Sequence, residues 1–393
     1  MEGSPYGMQS QPKNIAVIFG TRPDTIKLAP IILDLRKHPH YRPINIATAQ
    51  HRQMLDQVLD VFGIKPDFDL NIMEPKQSLA RLTRNSIAAL DEVLVETKPD
   101  MVLVQGDTTT TFVGSLAAFY RQIPVGHVEA GLRTADKANP FPEEINRRLT
   151  SCIADLHFAP TATAKKALLR EHVPGSHIIV TGNTVIDALK YSIKKTYKFV
   201  EPRLNEYVKQ GKRIILLTMH RRENWGTPMT GACEAVRALA KRYPDDRFVF
   251  PVHLNPLVRE VVHPILRGFK NVLLLEPLPY SEFVNLMARS YLLLTDSGGV
   301  QEEGPSLGKP VLVLRRVTER PEAVKYGTVK LVGLDPSKIT STARILLDDT
   351  RAYRKMASAT NPYGDGHASR RTMQALDRFF GFTSAKPREF SPR

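Results

Sequence analysis

The sequence predicts an α/β chain built from two doubly wound parallel sheets in tandem. Three observations carry this expectation. The chain has 393 residues, more than one hydrophobic core fills, so two domains of roughly 150–200 residues are expected. Short β-branched runs alternate with amphipathic helical stretches from one end to the other, which is the pattern of parallel βαβ units. The alternation falls into two series, separated by the charged and weakly patterned stretch Tyr191–Lys212.

In chain order, Met1 to Lys13 is rich in Gly, Ser, Gln and Pro, has no apolar segment, and predicts a disordered extension. The first series of strands is Asn14–Phe19, Ile44–Thr48, Met101–Gln105, Pro124–Val128, Leu156–Ala159 and Ile178–Thr181. Helices separate them: Met54, Leu55, Val58, Leu59 and Phe62 recur at the spacing that lines one helical face. The linker is placed near Asn183 or shortly after, dividing a first domain, 14–183, from a second, 184–368. The second series is Arg213–Thr218, Phe248–Val252, Val272–Leu275, Leu292–Thr295, Val311–Leu314 and Val329–Val332. Residues 385–393 predict a disordered tail.

Composition narrows the function classes. Apolar content of 42% and charged content of 24% are those of an ordinary globular protein. The longest apolar runs fall far short of the roughly 20 residues of a membrane span, so no membrane partner is expected. Cys152 and Cys233 lie far apart and outside any CxxC or Cys/His spacing, which points to a reducing, cytoplasmic compartment and to no metal. The formal charge of +15 would suit an anionic partner, yet Lys and Arg are interspersed with acids and no aromatic-basic module accompanies them. A nucleic-acid role is set aside in favour of a small anionic substrate.

Doubly wound sheets bind ligands at the carboxyl ends of their strands, so residues just after strands are the candidates. In Leu294–Gly308, LTDSGGVQEEGPSLG, a strand runs into Ser297-Gly298-Gly299 and then a helical pattern. Paired glycines let a phosphate approach the backbone, and a helix start offers unpaired N–H groups and a favourable dipole. Glu302 and Glu303 follow about one turn later, where a carboxylate can accept from ribose hydroxyls. The plainer alternative is a turn followed by solvated acids. His220-Arg221-Arg222-Glu223-Asn224 places cations after another strand, and Arg320 follows a third, so a diphosphate would be surrounded by charge.

The first series opens on Gly20-Thr21-Arg22-Pro23-Asp24-Thr25-Ile26-Lys27, with Pro23 suited to a helix start. The dipole disfavours Arg22 and Lys27 there, which calls for an anionic ligand or carboxylate nearby. Asp107, Glu129 and Glu143 also fall at strand ends or in the loops after them. Asp107 could equally cap the Thr-rich helix after it, and Glu143 could support its own helix start. Clustered acids raise one another's pKa and can trade protons near neutrality. Acids with a diphosphate pocket suggest proton transfer coupled to loss of a phosphate leaving group.

These residues closely resemble the non-hydrolysing UDP-N-acetylglucosamine 2-epimerases over roughly Asn14 to Leu376. The likeness rests on FGTRPDTIKLAP, TAQHRQMLDQVL, QGDTTTTF, GHVEAGLRT, PFPEEINR, TGNTVIDAL, HRRENWG, PVHLNP, TDSGGVQEEGPSLGKPVLVL, TERPEAV and NPYGDGHAS, in family order. It implies two Rossmann-like domains facing across a cleft, of glycosyltransferase B type, with a C-terminal helix at about 369–380 completing the first. It implies an isomerase that eliminates UDP in the anti sense to give 2-acetamidoglucal and re-adds it in the syn sense, yielding UDP-N-acetylmannosamine without a cofactor. A hydrolysing epimerase that releases UDP and N-acetylmannosamine is the alternative.

By the same resemblance Asp107, Glu129 and Glu143 take acid/base roles, and Arg22 and Lys27 lie near the sugar. His220, Ser297, Gly298, Gly299 and Arg320 hold the diphosphate, Glu303 the ribose, and Phe283 with the backbone around Leu278 the uracil. His220 is counted with the catalytic group. A second UDP-N-acetylglucosamine as activator would meet Gln50, Gln53, Lys76, Glu143, Arg221 and His253, and the assembly would be a homodimer. Three departures stand out: Asp24 replaces a Glu, Arg316-Val317 an Asp-Thr, and Lys76 an Arg whose fork it cannot reproduce.

Overall fold

The NIAVIF run becomes the strand β1 (Lys13–Phe19), whose Ile15, Ala16, Val17, Ile18 and Phe19 are each at most 1% exposed. A strand covered by helices on both faces reads as a continuous apolar run, which is why it is legible as one. The computed structural model describes residues 11–48, 52–74, 77–134 and 136–392, with the backbone alone at 52–54. Around β1 lie β2 (Tyr41–Ala47), β3 (Phe68–Asp69), β4 (Met101–Gln105), β5 (Val125–Val128), β6 (Leu156–Ala159) and β7 (Ile178–Val180). They form a seven-stranded sheet in the order β3-β2-β1-β4-β5-β6-β7, every pairing parallel.

The second series supplies β8 (Ile214–Thr218), β9 (Arg247–Pro251), β10 (Val272–Leu275), β11 (Leu292–Thr295), β12 (Val311–Val313) and β13 (Val329–Leu331). This six-stranded parallel sheet has the order β10-β9-β8-β11-β12-β13. The strand order therefore reverses twice in the chain, between β1 and β4 and between β8 and β11. Crevices open at the carboxyl ends of strands at such reversals, and ligands of doubly wound sheets bind there.

One compact unit runs to Ala188 and takes in Gly366–Ser391; the other is Leu189–Asp365. The junction thus lies a few residues beyond Asn183. Each unit has its own core, with Ile18, Val102, Val104 and Val113 in the first and Leu217, Phe248, Leu294 and Leu312 in the second.

The helix Ala368–Phe379 belongs to the first unit. Its first N–H groups, on Ala368 and Ser369, donate to the Asp187 carboxylate at 3.2 and 2.9 Å, and Ser369 Oγ donates to Asp34 at 2.6 Å. An acid at a helix start both caps it and complements its dipole.

Both ends differ from the sequence expectation. Lys13 is the first residue of β1 and pairs with Asp100 at 2.8 Å, so the strand begins one residue earlier than apolarity alone suggests. The segment expected as a loose tail from 385 docks on the first unit. Glu389 pairs with Lys165 at 2.6 Å, the Phe390 N–H donates to the Val180 carbonyl at 2.7 Å, and the Phe390 ring is 7% exposed. The open edge of β7 gives the tail its backbone partner, a contact that composition does not reveal.

Candidate active site

At the end of β1 the chain turns at Gly20, where a Cβ would lie 2.1 Å from Thr48 Oγ1 and 2.6 Å from Thr110 Oγ1, so any larger residue must push both hydroxyls aside. The helix Arg22–Lys37 follows, capped from within by Asp24. Its carboxylate accepts from the N–H groups of Gly20, Thr21 and Thr25 at 3.1, 2.8 and 2.8 Å and from the Thr21 hydroxyl at 2.9 Å. Burial outweighs those donors and pushes the Asp24 carboxyl up to about 6. Arg22 is the first residue of this helix, and Lys27 lies on it one turn further on.

Lys27 Nζ contacts both oxygens of Glu129 at 2.7 and 2.6 Å. The expected carboxylate beside this lysine is therefore Glu129 itself, 8% exposed. Asn183 Nδ2 donates to Glu129 Oε1 at 2.9 Å, and Gln105 Nε2 donates to Oε2. Gln105 ends β4, Glu129 follows β5 and Asn183 follows β7, so strand ends along the sheet converge on one carboxyl. Glu129 also has φ of +64°, a left-handed backbone that a glutamate rarely adopts and that the surroundings must enforce.

Asp107 follows the Gly106 turn after β4. The cap of the Thr-rich helix Thr109–Tyr120 is Thr108, whose hydroxyl accepts from the Thr111 N–H at 3.2 Å, so Asp107 is free of that duty. Its carboxylate pairs with Arg147, and Asn146 Nδ2 donates to its carbonyl at 3.0 Å. Both partners lie on the helix Glu143–Ile153, of which Glu143 is the first residue and half-buried. Its neighbour Glu144 is fully buried, bound by Arg147 at 3.2 Å, Arg148 at 2.8 Å and the Thr134 N–H at 3.1 Å. Arg147 therefore ties a structural acid to a candidate one. The sequence suggests acids perturbing one another; the structure instead sets Glu129 and Asp107 against cations.

Beneath this loop lies His127, fully buried, its Nε2 donating to the Gly106 carbonyl at 2.8 Å. Burial depresses its imidazole to about 3, so the ring is neutral and pins the Gly106 turn between Gln105 and Asp107.

In the second unit the ends of β8 and β11 are joined by a 2.6 Å hydrogen bond between the Thr218 and Thr295 hydroxyls. Asp296, fully buried, follows. It accepts from the His220 N–H at 3.1 Å, the Arg221 N–H at 3.0 Å and Asn224 Nδ2 at 2.9 Å, which shapes the whole HRREN loop. The His220 ring lies with Nδ1 3.4 Å from Asp296, half in solvent. Burial holds its imidazole below the ordinary range, against the pull of Asp296.

Ser297 then opens the helix Gly298–Ser306 without any side-chain cap, so first-turn N–H groups are left for another acceptor. Arg221 Nη2 lies 3.6 Å from where a Gly298 Cβ would stand, which puts a guanidinium beside the glycines. Arg320 Nε pairs with Glu302 on that helix, and Glu303 is the next residue, 8% exposed. Burial pushes the Glu319 carboxyl up, but Arg315, Arg221 and Arg320 together hold it below its usual range.

The remaining predicted positions are less engaged. Leu278 is half-buried in the loop before the helix Tyr280–Arg289, which carries the half-buried Phe283. His253 Nδ1 accepts from the Asn255 N–H at 3.2 Å, with its ring 6.0 Å from that of Trp225. Gln50 and Lys76 lie outside the described residues, as does the Gln53 side chain. Among the described residues no group of three or more His, Cys, Asp or Glu is placed to hold a metal ion, and no helix is long and apolar enough to cross a membrane.

Sequence reasoning missed Gln105, Arg147, Asn183 and Asp296. One signal was available, since polar residues ending otherwise apolar strands, such as Gln105, are candidates by position alone.

Comparison with known proteins sets this geometry in context. The family model described as UDP-N-acetylglucosamine 2-epimerase matches residues 33–377. The UDP-N-acetylglucosamine 2-epimerase of Bacillus subtilis is 54% identical over 377 residues, covering 96% of this chain and 98% of its own. The crystal structure of UDP-GlcNAc 2-epimerase from Neisseria meningitidis bound to UDP-GlcNAc is 51% identical, covers 92% of this chain and 99% of its own, and has a TM-score of 0.84. The Methanocaldococcus jannaschii UDP-GlcNAc 2-epimerase, in complex with UDP-GlcNAc and UDP, is 35% identical with a TM-score of 0.75, covering 92% and 99%. A likeness of this depth along nearly the whole chain means that the protein belongs to the UDP-N-acetylglucosamine 2-epimerase family.

Proposed function

We propose that this protein interconverts UDP-N-acetylglucosamine and UDP-N-acetylmannosamine by the non-hydrolysing route, eliminating UDP to 2-acetamidoglucal and adding it back. The observation that supports this most is the strand reversal between β8 and β11. There an uncapped helix start, the Arg221 guanidinium and the His220 loop organised by Asp296 offer a diphosphate its acceptor-seeking N–H groups and charge. The Neisseria meningitidis relative, a UDP-GlcNAc 2-epimerase 51% identical to this chain, was solved with UDP-GlcNAc bound, which supports a UDP-sugar substrate.

The chemistry gives each unit a task of its own. The C2 proton of an acetal sugar is scarcely acidic, so C1–O cleavage leads and charge develops on the departing diphosphate. First-turn N–H groups at Gly298 and Gly299, the polar side chains of Ser297 and His220, and the guanidiniums of Arg221 and Arg320 stabilise that charge with little reorganisation. Glu303 then serves the ribose, and Phe283 with the Leu278 backbone the uracil.

In the first unit Arg22 and Lys27 serve the sugar, and Asp107, Glu129 and Glu143 exchange the proton. Inversion requires proton delivery to both faces of the glucal, which one carboxyl alone serves poorly. Glu129 rests on side-chain donors and Asp107 on Arg147, so each has a partner that can follow a change in its charge.

The test is incubation of the purified protein with UDP-N-acetylglucosamine in deuterated water. The expected product is UDP-N-acetylmannosamine carrying deuterium at C2, with no net UDP. Accumulation of UDP with free N-acetylmannosamine would establish the hydrolysing reaction instead.

A further inference from the structure

Away from the β8/β11 reversal, the ends of β12 and β13 form one wall of a cavity of about 620 Å³ in the second unit. The other wall is made by the first turns of the helices Thr227–Arg242 and Pro336–Asp348. Gly231 lets these segments close together, since a Cβ there would lie 2.4 Å from the Leu334 carbonyl oxygen. The volume falls within the range of small-molecule sites, roughly 300–1,000 Å³.

The lining is cationic. Arg315, Arg316 and Lys338 face Asp335, whose carboxylate is occupied by the Lys338 N–H at 2.9 Å as the cap of its helix. The helix Thr227–Arg242 begins at Gly226 with no side-chain cap, so its positive end adds to the field. Arg316 and Lys338 are exposed.

Independently of those charges, Arg315 is 8% exposed, and its Nη1 is buried with no hydrogen-bond partner among the described residues. Its Nε donates to Glu223 at 2.9 Å, and its Nη2 lies 3.5 Å from Glu319. A buried charged N–H without an acceptor is costly, and native structures supply one, from protein, water or a bound ion.

We propose that this cavity binds the phosphate group of a small phosphorylated molecule, at a site separate from the Ser297–Gly299 helix start. Arg316, Lys338 and the start of the helix Thr227–Arg242 hold the dianion, and Arg315 is the buried cation behind it. Because Arg315 also meets Glu223 of the HRREN loop and Glu319 beside Arg320, occupancy of the cavity bears on both loops through one side chain.

The experiment is calorimetric titration of the full-length protein, saturated with UDP so that the helix start at Ser297 is filled. Inorganic phosphate and glucose 6-phosphate are the two probes. Both are expected to bind, and tighter binding of the sugar phosphate would assign the rest of the cavity to an organic moiety. Lys338→Ala is expected to weaken binding roughly tenfold, the loss of one charge-assisted contact, and Arg316→Asp, which also sets a carboxylate against the dianion, by more than about tenfold. UDP affinity should stay within about twofold in both variants, which shows that the unit is folded. Absence of binding in the UDP-saturated parent, or unchanged binding in both variants, would overturn the proposal.

Discussion

Replacing Asp296 tests whether the HRREN loop owes its shape to one buried carboxylate. In Asp296→Ala the N–H groups of His220 and Arg221 lose their acceptor, and the Asn224 amide loses one of two, keeping the Leu314 carbonyl at 3.3 Å. An abandoned buried donor costs roughly 1–3 kcal/mol. His220 is half exposed and its donor can be rehydrated, so the total is about 3–4 kcal/mol, carried mostly by Arg221 and Asn224. The loop relaxes to recover those bonds, and its cations leave the helix start.

If the relaxed loop forfeits most of that energy on binding, UDP affinity falls about 100-fold, at 1.4 kcal/mol for each factor of ten. Asp296→Asn is the internal control. Its oxygen can take the Oδ2 position, which accepts from both Arg221 and Asn224, so the expected loss is within about tenfold. Titration calorimetry with UDP, alongside thermal melting, separates ligand loss from unfolding. Parental UDP affinity in a folded Asp296→Ala protein would refute the reasoning, because the loop would then hold its shape without the carboxylate.

Further outcomes follow from the rest of the structure. His127 and His157 are depressed by burial to about 3 and about 4, so the folded state binds fewer protons than the unfolded one below pH 6.5, and stability is lost as pH falls from 6.5 towards 4. Asp24, raised by burial to about 6, acts with the opposite sign, its contribution falling as pH rises through 3.8 to 6; Asp24→Asn should therefore steepen the acid limb of a melting-temperature profile. Arg147→Ala strips a partner from both Asp107 and the fully buried Glu144, so a melting-temperature drop corresponding to roughly 3 kcal/mol and a fall in turnover are expected together. Gly20→Ala must displace Thr48 and Thr110, whose hydroxyls bond each other at 3.0 Å, and should destabilise by about 1–3 kcal/mol in a melting assay.

Strands inside the two sheets were legible because burial on both faces leaves uninterrupted apolar runs, as in β1 and β11. β3 was not: Phe68 and Asp69 carry no periodicity, and they form a strand only because β2 offers an open edge. The candidate site divides along the same line. Ser297, His220 and Arg320 stand out because each follows a strand. Asp296 also follows one, but its role depends on N–H groups 75 and 76 residues away. Asp107 and Glu129 were legible as acids at strand ends, whereas Arg147 and Asn183, which fix them, became meaningful only once separate strand-end loops met.

The carboxylates of this chain differ in what holds them, and on the proposed mechanism the difference separates scaffold from chemistry. Asp24 and Asp296 accept from backbone N–H groups, which stay where the fold puts them. Glu129 accepts from the side chains of Lys27, Gln105 and Asn183, which can reorient without moving the backbone. A carboxyl that must take up and release a proton needs donors that can withdraw; one that shapes a loop needs donors that cannot. Glu129→Gln keeps the shape and removes the charge that Lys27, 17% exposed, faces. Turnover in the deuterium assay should fall at least about 100-fold, in line with loss of a general acid or base. UDP affinity should be parental, since no donor of the helix start at Ser297 is touched. A Glu129→Gln protein that still epimerises within tenfold of the parent would assign Glu129 to the scaffold with Asp24 and Asp296.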